Sequence, residues 1–195
     1  MKTNNKAKWM AAGLLMLSHI YVGAQQGVAL LQNKSSIKIQ GTSSLHDWEE
    51  DVQEFDVNLK LVMTDNKVSD IRDVSVVMKS ASIESGNSIM NSKTHSALKA
   101  DQHPEIEFKL ITVDNLIKQG HNFTGVVTGD LTIAGKTKRI KLDFQGSNGG
   151  KIITIKGSKE FKMSEFNIDP PTALMGTLKT ADEITISFNL QFLLS

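Results

Sequence analysis

The chain has 195 residues, 39% of them hydrophobic and 6% aromatic, with 22 Lys+Arg against 21 Asp+Glu and no cysteine. That length suits about one domain with a sizeable core. The near-balance of charge argues against a strongly basic nucleic-acid binder, and the missing cysteines exclude a disulfide scaffold, thiolate zinc sites, a Cys nucleophile and a lipid-modified N-terminal Cys.

Residues 1–24 differ from the rest. Lys2, Lys6 and Lys8 make a basic start, an apolar run follows from Trp9 to Val22, and small residues stand at Gly23-Ala24 before Gln25. This order matches a secretory signal peptide cleaved after Ala24. The run is 14 residues, short of the roughly 20 that a membrane-spanning helix needs. The expected mature chain is 25–195, a single domain exported to the periplasm or secreted. It has 19 basic and 21 acidic residues, a net charge of −2.

Beyond residue 35, apolar side chains recur at every second position, the mark of strands with one buried face. Ile37 and Ile39 open the series. Phe55, Val57, Leu59, Leu61 and Met63 follow, then Val74, Val76 and Met78. Ser88–Lys99 breaks the alternation: Met90, Thr94, Ala97 and Leu98 share one face at helical spacing, with Ser88 as the expected cap and His103-Pro104 as the stop. Alternation resumes at Ile106, Phe108 and Leu110, and continues through Phe123, Val127, Leu131 and Ile133. Ile140, Leu142 and Phe144 come next, then Ile153 and Ile155, and Ile184 to Phe192 closes the chain. Ala134-Gly135-Lys136 and Gly146–Gly150 read as hairpin connections. The fold class is therefore all-β: an antiparallel eight-stranded lipocalin-like β-barrel, with a short helical insert between the third and fourth strands. Closure into a barrel removes exposed sheet edges.

Catalytic motifs are sparse. Gly129 and Gly135-Lys136-Thr137 are one residue out of P-loop spacing and fall in a hairpin. Lys136, Lys138, Arg139 and Lys141 form a solvated strand face rather than a nucleic-acid patch. Glu49-Glu50-Asp51 reads as a solvated turn, since the spaced ligands of a calcium loop are missing. His46, His95, His103 and His121 show no metal-ligand spacing. His46 and His95 meeting at a barrel mouth remains the enzymatic or metal alternative. Gly41, Gly125, Gly129 and Gly157 stand on the apolar parity of their strands. They either leave interior room or permit the bends that closure requires. An eight-stranded barrel encloses a filled core or one ligand.

Several segments together resemble the YceI-like family. Ser43-Ser44-Leu45-His46-Asp47-Trp48 is one, and the run from Leu98 to Pro104-Glu105-Ile106-Glu107-Phe108 another. Gly129-Asp130-Leu131-Thr132-Ile133-Ala134-Gly135-Lys136-Thr137-Lys138 resembles that family's Gly-x-Leu-Thr-x-x-Gly-x-Thr-Lys hairpin. Lys162 to Ile168 resembles its Arg-Ser-x-Phe-Gly-Ile segment, with Lys162 or Met163 at the arginine and Asn167 at the glycine, and Asp182-Glu183-Ile184 opens the last strand.

The resemblance implies an exported, non-enzymatic barrel for a long-chain apolar ligand, such as a polyisoprenoid or isoprenoid quinone. It implies no other cofactor and no nucleic-acid partner. Candidate pocket residues are Phe55, Leu59, Phe108, Phe123, Val127 and Phe188 on interior parity, with Met90 and Leu98 from the insert. His46, Trp48 and Phe166 are further candidates. His46 and Trp48 fall on the opposite parity to Ile37, Ile39 and Leu45, so a bulge is needed to turn them inward. The apolar loop Pro170–Gly176 is a candidate lid, a transient membrane contact or a structural cap. A filled barrel acting as an interaction module is the remaining alternative.

Overall fold

The computed structural model describes residues 24–173 and 177–194. The expected signal peptide therefore lies almost wholly outside the described residues, as does the end of the Pro170–Gly176 loop. The alternating segments form eight long antiparallel strands: β3 (Ser36–Ser43), β5 (Phe55–Thr64), β6 (Lys67–Lys79), β8 (Glu105–Gln119), β9 (Asn122–Ile133), β10 (Lys136–Asn148), β11 (Ile152–Lys162) and β13 (Leu178–Leu194). Five short strands join them: β1 (Ala24–Gln26), β2 (Val28–Leu30), β4 (Asp47–Val52), β7 (Ile83–Glu84) and β12 (Thr172–Ala173). The main order is β1-β5-β6-β8-β9-β10-β11-β13-β3-β4-β7, a curled sheet whose inner face carries the hydrophobic core.

Tight turns fix the hairpins. Ala134 and Gly135 both have positive φ (48° and 76°) between the paired residues Ile133 and Lys136. Such a two-residue turn matches the right-handed twist of its strands. Asp65 and Asn66 (φ 50° and 57°) do the same between Thr64 and Lys67.

The barrel does not close through a hydrogen-bonded ladder from β5 to β3 among the described residues, as full closure would require. β1 occupies the edge of β5 at Leu61–Met63, and β4 occupies that of β3. The seam is bridged instead by β2, which pairs with β13 and packs on β5, and by the Gln32 side-chain amide donating to Phe55 O at 2.9 Å.

The helical insert, α1 (Ser88–Leu98), lies between β7 and β8. Its cap is Asn87 rather than Ser88: Asn87 Oδ1 accepts from the amides of Ile89 and Met90 at 2.9 and 3.2 Å. A longer Asx side chain in extended backbone reaches the first-turn amides. Lys99 ends the helix in the left-handed region at φ 52°. Asn167 also takes that conformation, at φ 57°, which asparagine tolerates. This accounts for its standing at the family's glycine position.

The hairpin turns sort into two ends. Asp65-Asn66, Gly120-His121 and Gly149-Gly150 lie at one end, where Asn148 Nδ2 donates to Asn66 O at 2.8 Å. The other end, the mouth, collects the β3–β4 turn, α1, the Ala134-Gly135 turn, and Met163, Ile168, Pro171, Thr172 and Leu178 from the stretch ahead of β13 and its first residue.

Candidate functional site

Inside the wall is an apolar chamber of about 130 Å³, lined by residues such as Leu59, Phe108, Val127, Leu142, Phe144 and Phe188. Lys159 contributes its aliphatic stem, as long basic side chains do on apolar surfaces. The far side is filled by Phe123, whose ring meets Phe144 edge-on at 6.3 Å, and by the fully buried Leu61, Ile153 and Phe192. A second chamber of about 220 Å³ lies under α1 at the mouth; Phe161 and Ile186 line both. The two chambers adjoin at Phe161 and Ile186.

The glycines do not leave these spaces empty. A Cβ at Gly41 would lie 2.3 Å from the Trp48 ring, at Gly129 2.3 Å from Phe108, at Gly146 2.1 Å from Phe123, and at Gly157 2.6 Å from Phe188. At Gly125 it would lie 2.9 Å from Phe144. Each gap takes a neighbouring strand's aromatic ring. The chambers lie beyond those rings.

Of the sequence candidates, Leu59, Phe108, Val127 and Phe188 line the inner chamber, and His46, Trp48, Met90 and Leu98 line the outer one. Phe55, Phe123 and Phe166 line neither. Phe55 starts β5 beside the seam, Phe123 fills the space over Gly146, and Phe166 packs edge-on against Phe161 at 5.3 Å. Interior parity puts a side chain on the inner face but not at the depth where the cavity lies. Met90, Thr94, Ala97 and Leu98 all face the outer chamber from α1, as their helical spacing requires.

Trp48 turns inward without a bulge. The chain reverses between β3 and β4, so Gly41 pairs with Trp48 and Ile39 with Glu50 in an unbroken register. Cross-strand partners share a face. Parity carried through the Ser44–His46 turn therefore misassigned this stretch. His46 itself is exposed in the turn, and its Nδ1 donates to Asp47 O at 2.7 Å.

Glu50 corrects the sequence reading most sharply. It is a strand residue facing inward, not part of a solvated turn, and it is 2% exposed. Thr94 Oγ1 donates to its two carboxylate oxygens at 2.8 and 3.0 Å. Burial pushes its carboxyl above the ordinary value, opposed in part by the Thr94 hydroxyl and by the charge of His95. The alternation of Trp48, Glu50 and Val52 with Glu49 and Asp51 was the available signal.

The histidines do not converge. His95 Nε2 donates to Ile83 O at 2.9 Å and His95 does not line either chamber, while His103 packs on Gly135 and His121 lies at the opposite end. Among the described residues, no three His, Asp or Glu side chains group as metal ligands. At the mouth, Ser164 donates from N and Oγ to Asp182 at 2.8 and 2.5 Å, which holds that carboxyl below its ordinary range and ties the 163–166 turn to β13. Pro171 and Thr172 line the outer chamber, so the described part of the Pro170–Gly176 loop contributes to its roof.

A family profile described as YceI-like domain matches residues 29–192. The chain belongs to the YceI-like family. Solved structures share its fold at low sequence identity. BcnA of Burkholderia cenocepacia superposes with a TM-score of 0.66 at 22% identity, over 84% of this chain and 99% of that one. A polyisoprenoid-binding domain from Saccharophagus degradans, implicated in plant cell wall breakdown, gives 0.60 at 10% identity over 89% and 100%. The Campylobacter jejuni YCEI protein gives 0.58 at 21% identity over 73% and 82%. Among curated proteins, none matches this chain in sequence. In this chain the Gly129–Lys138 hairpin stands at the mouth, where Lys138 pairs with Glu165 at 2.8 Å.

Proposed function

We propose that this YceI-like chain is a non-enzymatic carrier of a long-chain apolar lipid, of the polyisoprenoid, isoprenoid-quinone or similar class, acting after export as residues 25–195. The observation that carries this reading is the wholly apolar inner chamber, which adjoins the mouth chamber at Phe161 and Ile186. A dry cavity of ~150 Å³ with such a lining accommodates a benzene ring. Adjoining volumes of about 130 and 220 Å³ therefore suit a chain segment rather than a compact solute. Roughly a dozen buried methylenes would supply about 10 kcal/mol, before the cost of ordering the ligand. The hollow interior argues against a filled barrel acting only as an interaction module. The fold shared with a polyisoprenoid-binding domain supports the same ligand class.

Two large apolar side chains stand at the rim, Leu45 at 71% exposure beside His46 and Ile89 at 69% on α1. They suit brief insertion at a membrane surface during loading. Mass spectrometry of an organic extract from the purified folded protein is expected to find a stoichiometric lipid. Repeated extracts without lipid, together with no binding of an apolar fluorophore, would overturn the reading. N-terminal sequencing of the exported protein is expected to begin at Gln25.

A further inference from the structure

The mouth chamber is not apolar throughout. Its single buried carboxylate, Glu50, is 2% exposed and yet lines the chamber, among Ile39, Ile83, Ile106 and Ile133. A carboxylate offers about four acceptor positions on two oxygens. Thr94 supplies one proton, shared between both oxygens at 2.8 and 3.0 Å. No basic side chain forms an ion pair with Glu50 among the described residues. Of the cationic groups nearby, Lys93 lines the same chamber from an exposed position, His95 is bonded to Ile83 O, and His46 to Asp47 O.

Such a group has unused hydrogen-bonding capacity directed at whatever fills the chamber. An arriving hydroxyl can donate to the ionised carboxylate, and can accept from it when it is protonated. A phosphate or carboxylate would bring a second negative charge beside the first, where low polarity strengthens repulsion. A pure hydrocarbon, or an ether in place of the alcohol, would leave the acceptors unpaired, and sites built around a hydrogen-bonded hydroxyl reject analogues that lack it.

We infer that Glu50, oriented by Thr94, is the head-group anchor of the chamber and selects apolar chains ending in a neutral hydroxyl over those ending in an anion. This rests on the carrier reading above and adds the chemistry of the head. The apolar inner chamber sets the tail, and the buried carboxylate sets which end of the ligand stays at the mouth.

The test compares three probes sharing one C20 isoprenoid chain: the alcohol, its methyl ether and its monophosphate. Displacement of an apolar fluorophore from delipidated full-length mature protein is the readout. The alcohol is expected to bind at least tenfold more tightly than either of the others. In Glu50→Gln the disadvantage of the monophosphate, read as the ratio of alcohol to monophosphate affinity within that variant, should shrink several-fold. Thr94→Val, which keeps shape but removes the orienting hydroxyl, should reduce the alcohol's advantage over the ether, and provides the reading if Glu50→Gln fails to fold. Equal binding of alcohol and monophosphate, or of alcohol and ether, would overturn the anchor and leave the carrier standing. Binding of none of the three would remove both. An unchanged preference in folded Glu50→Gln would also overturn it.

Discussion

At the sealed end of the wall, Phe123 of β9, Ile153 of β11 and Phe192 of β13 are buried, and the Asn148 side chain ties two hairpin tips together. At the mouth, half-buried Trp48 and Leu178 from the strands meet half-buried Met90 and Leu98 from α1, with a carboxylate among them. The pattern of side chains along each strand barely changes from one end to the other. Ring placement and the inserted helix make the difference. Of the four phenylalanines that lie in slots left by glycines, Phe123 closes the floor and the others line the inner chamber, whereas α1 lies over the opening without filling it. A barrel of this size is thus half core and half container, and substitutions should behave differently in the two halves.

The largest contrast is expected at Phe192. Phe192→Ala removes a ring with no solvent exposure and should cost about 3–5 kcal/mol in urea unfolding. Met90→Ala at the half-empty mouth should cost about 1 kcal/mol or less. Equal costs would mean that the mouth is packed as tightly as the floor.

Next is the floor's ring-in-slot packing. Gly146→Ala would put a methyl group 2.1 Å from the Phe123 ring, and the displacement should cost about 1–3 kcal/mol. The double variant with Phe123→Leu should lose less than the sum of the single losses.

Filling the container should separate binding from stability. Leu142→Trp adds bulk to the inner chamber, and is expected to weaken apolar-fluorophore binding at least tenfold, about 1.4 kcal/mol, with a smaller change in melting temperature. A loss of stability with unchanged binding would place the ligand outside the wall.

The smallest effect concerns Glu50. Its folded carboxyl is held above the ordinary 4.5 by burial, so the native state retains a proton that the unfolded chain has released. Stability should therefore fall as pH rises from about 4.5 through the raised value, and level off above it. Glu50→Gln should flatten that decline in melting temperature against pH. A variant as steep as the wild type would assign the slope to other groups.

Much of the fold was legible because one-sided burial forces alternation. All eight long strands and the helical insert followed from it, and the glycine-bearing turn at Ala134-Gly135 followed from its own chemistry. Parity, however, carries no information through a turn. Reversal at Ser44–His46 reset it, which hid Trp48 and Glu50. Nor does parity give depth: Phe123 and Phe188 look alike in sequence, and one is floor while the other lines the chamber. The short strands at the seam were unreadable for a related reason, since edge pairings such as Ala24 with Met63 depend on backbone position more than on side-chain pattern.

The ring-and-glycine contacts also govern how the strands find their alignment. Gly41 opposite Trp48, Gly125 opposite Phe144, Gly146 opposite Phe123 and Gly157 opposite Phe188 are directly paired residues. A slip of two residues would preserve the alternation of inside and outside, so hydrophobicity alone offers little resistance to it. It would drive each ring into a neighbour that carries a side chain. These pairs work as keys that admit one alignment of β3, β4, β9, β10, β11 and β13, and the position of the hollow along the barrel follows from that alignment.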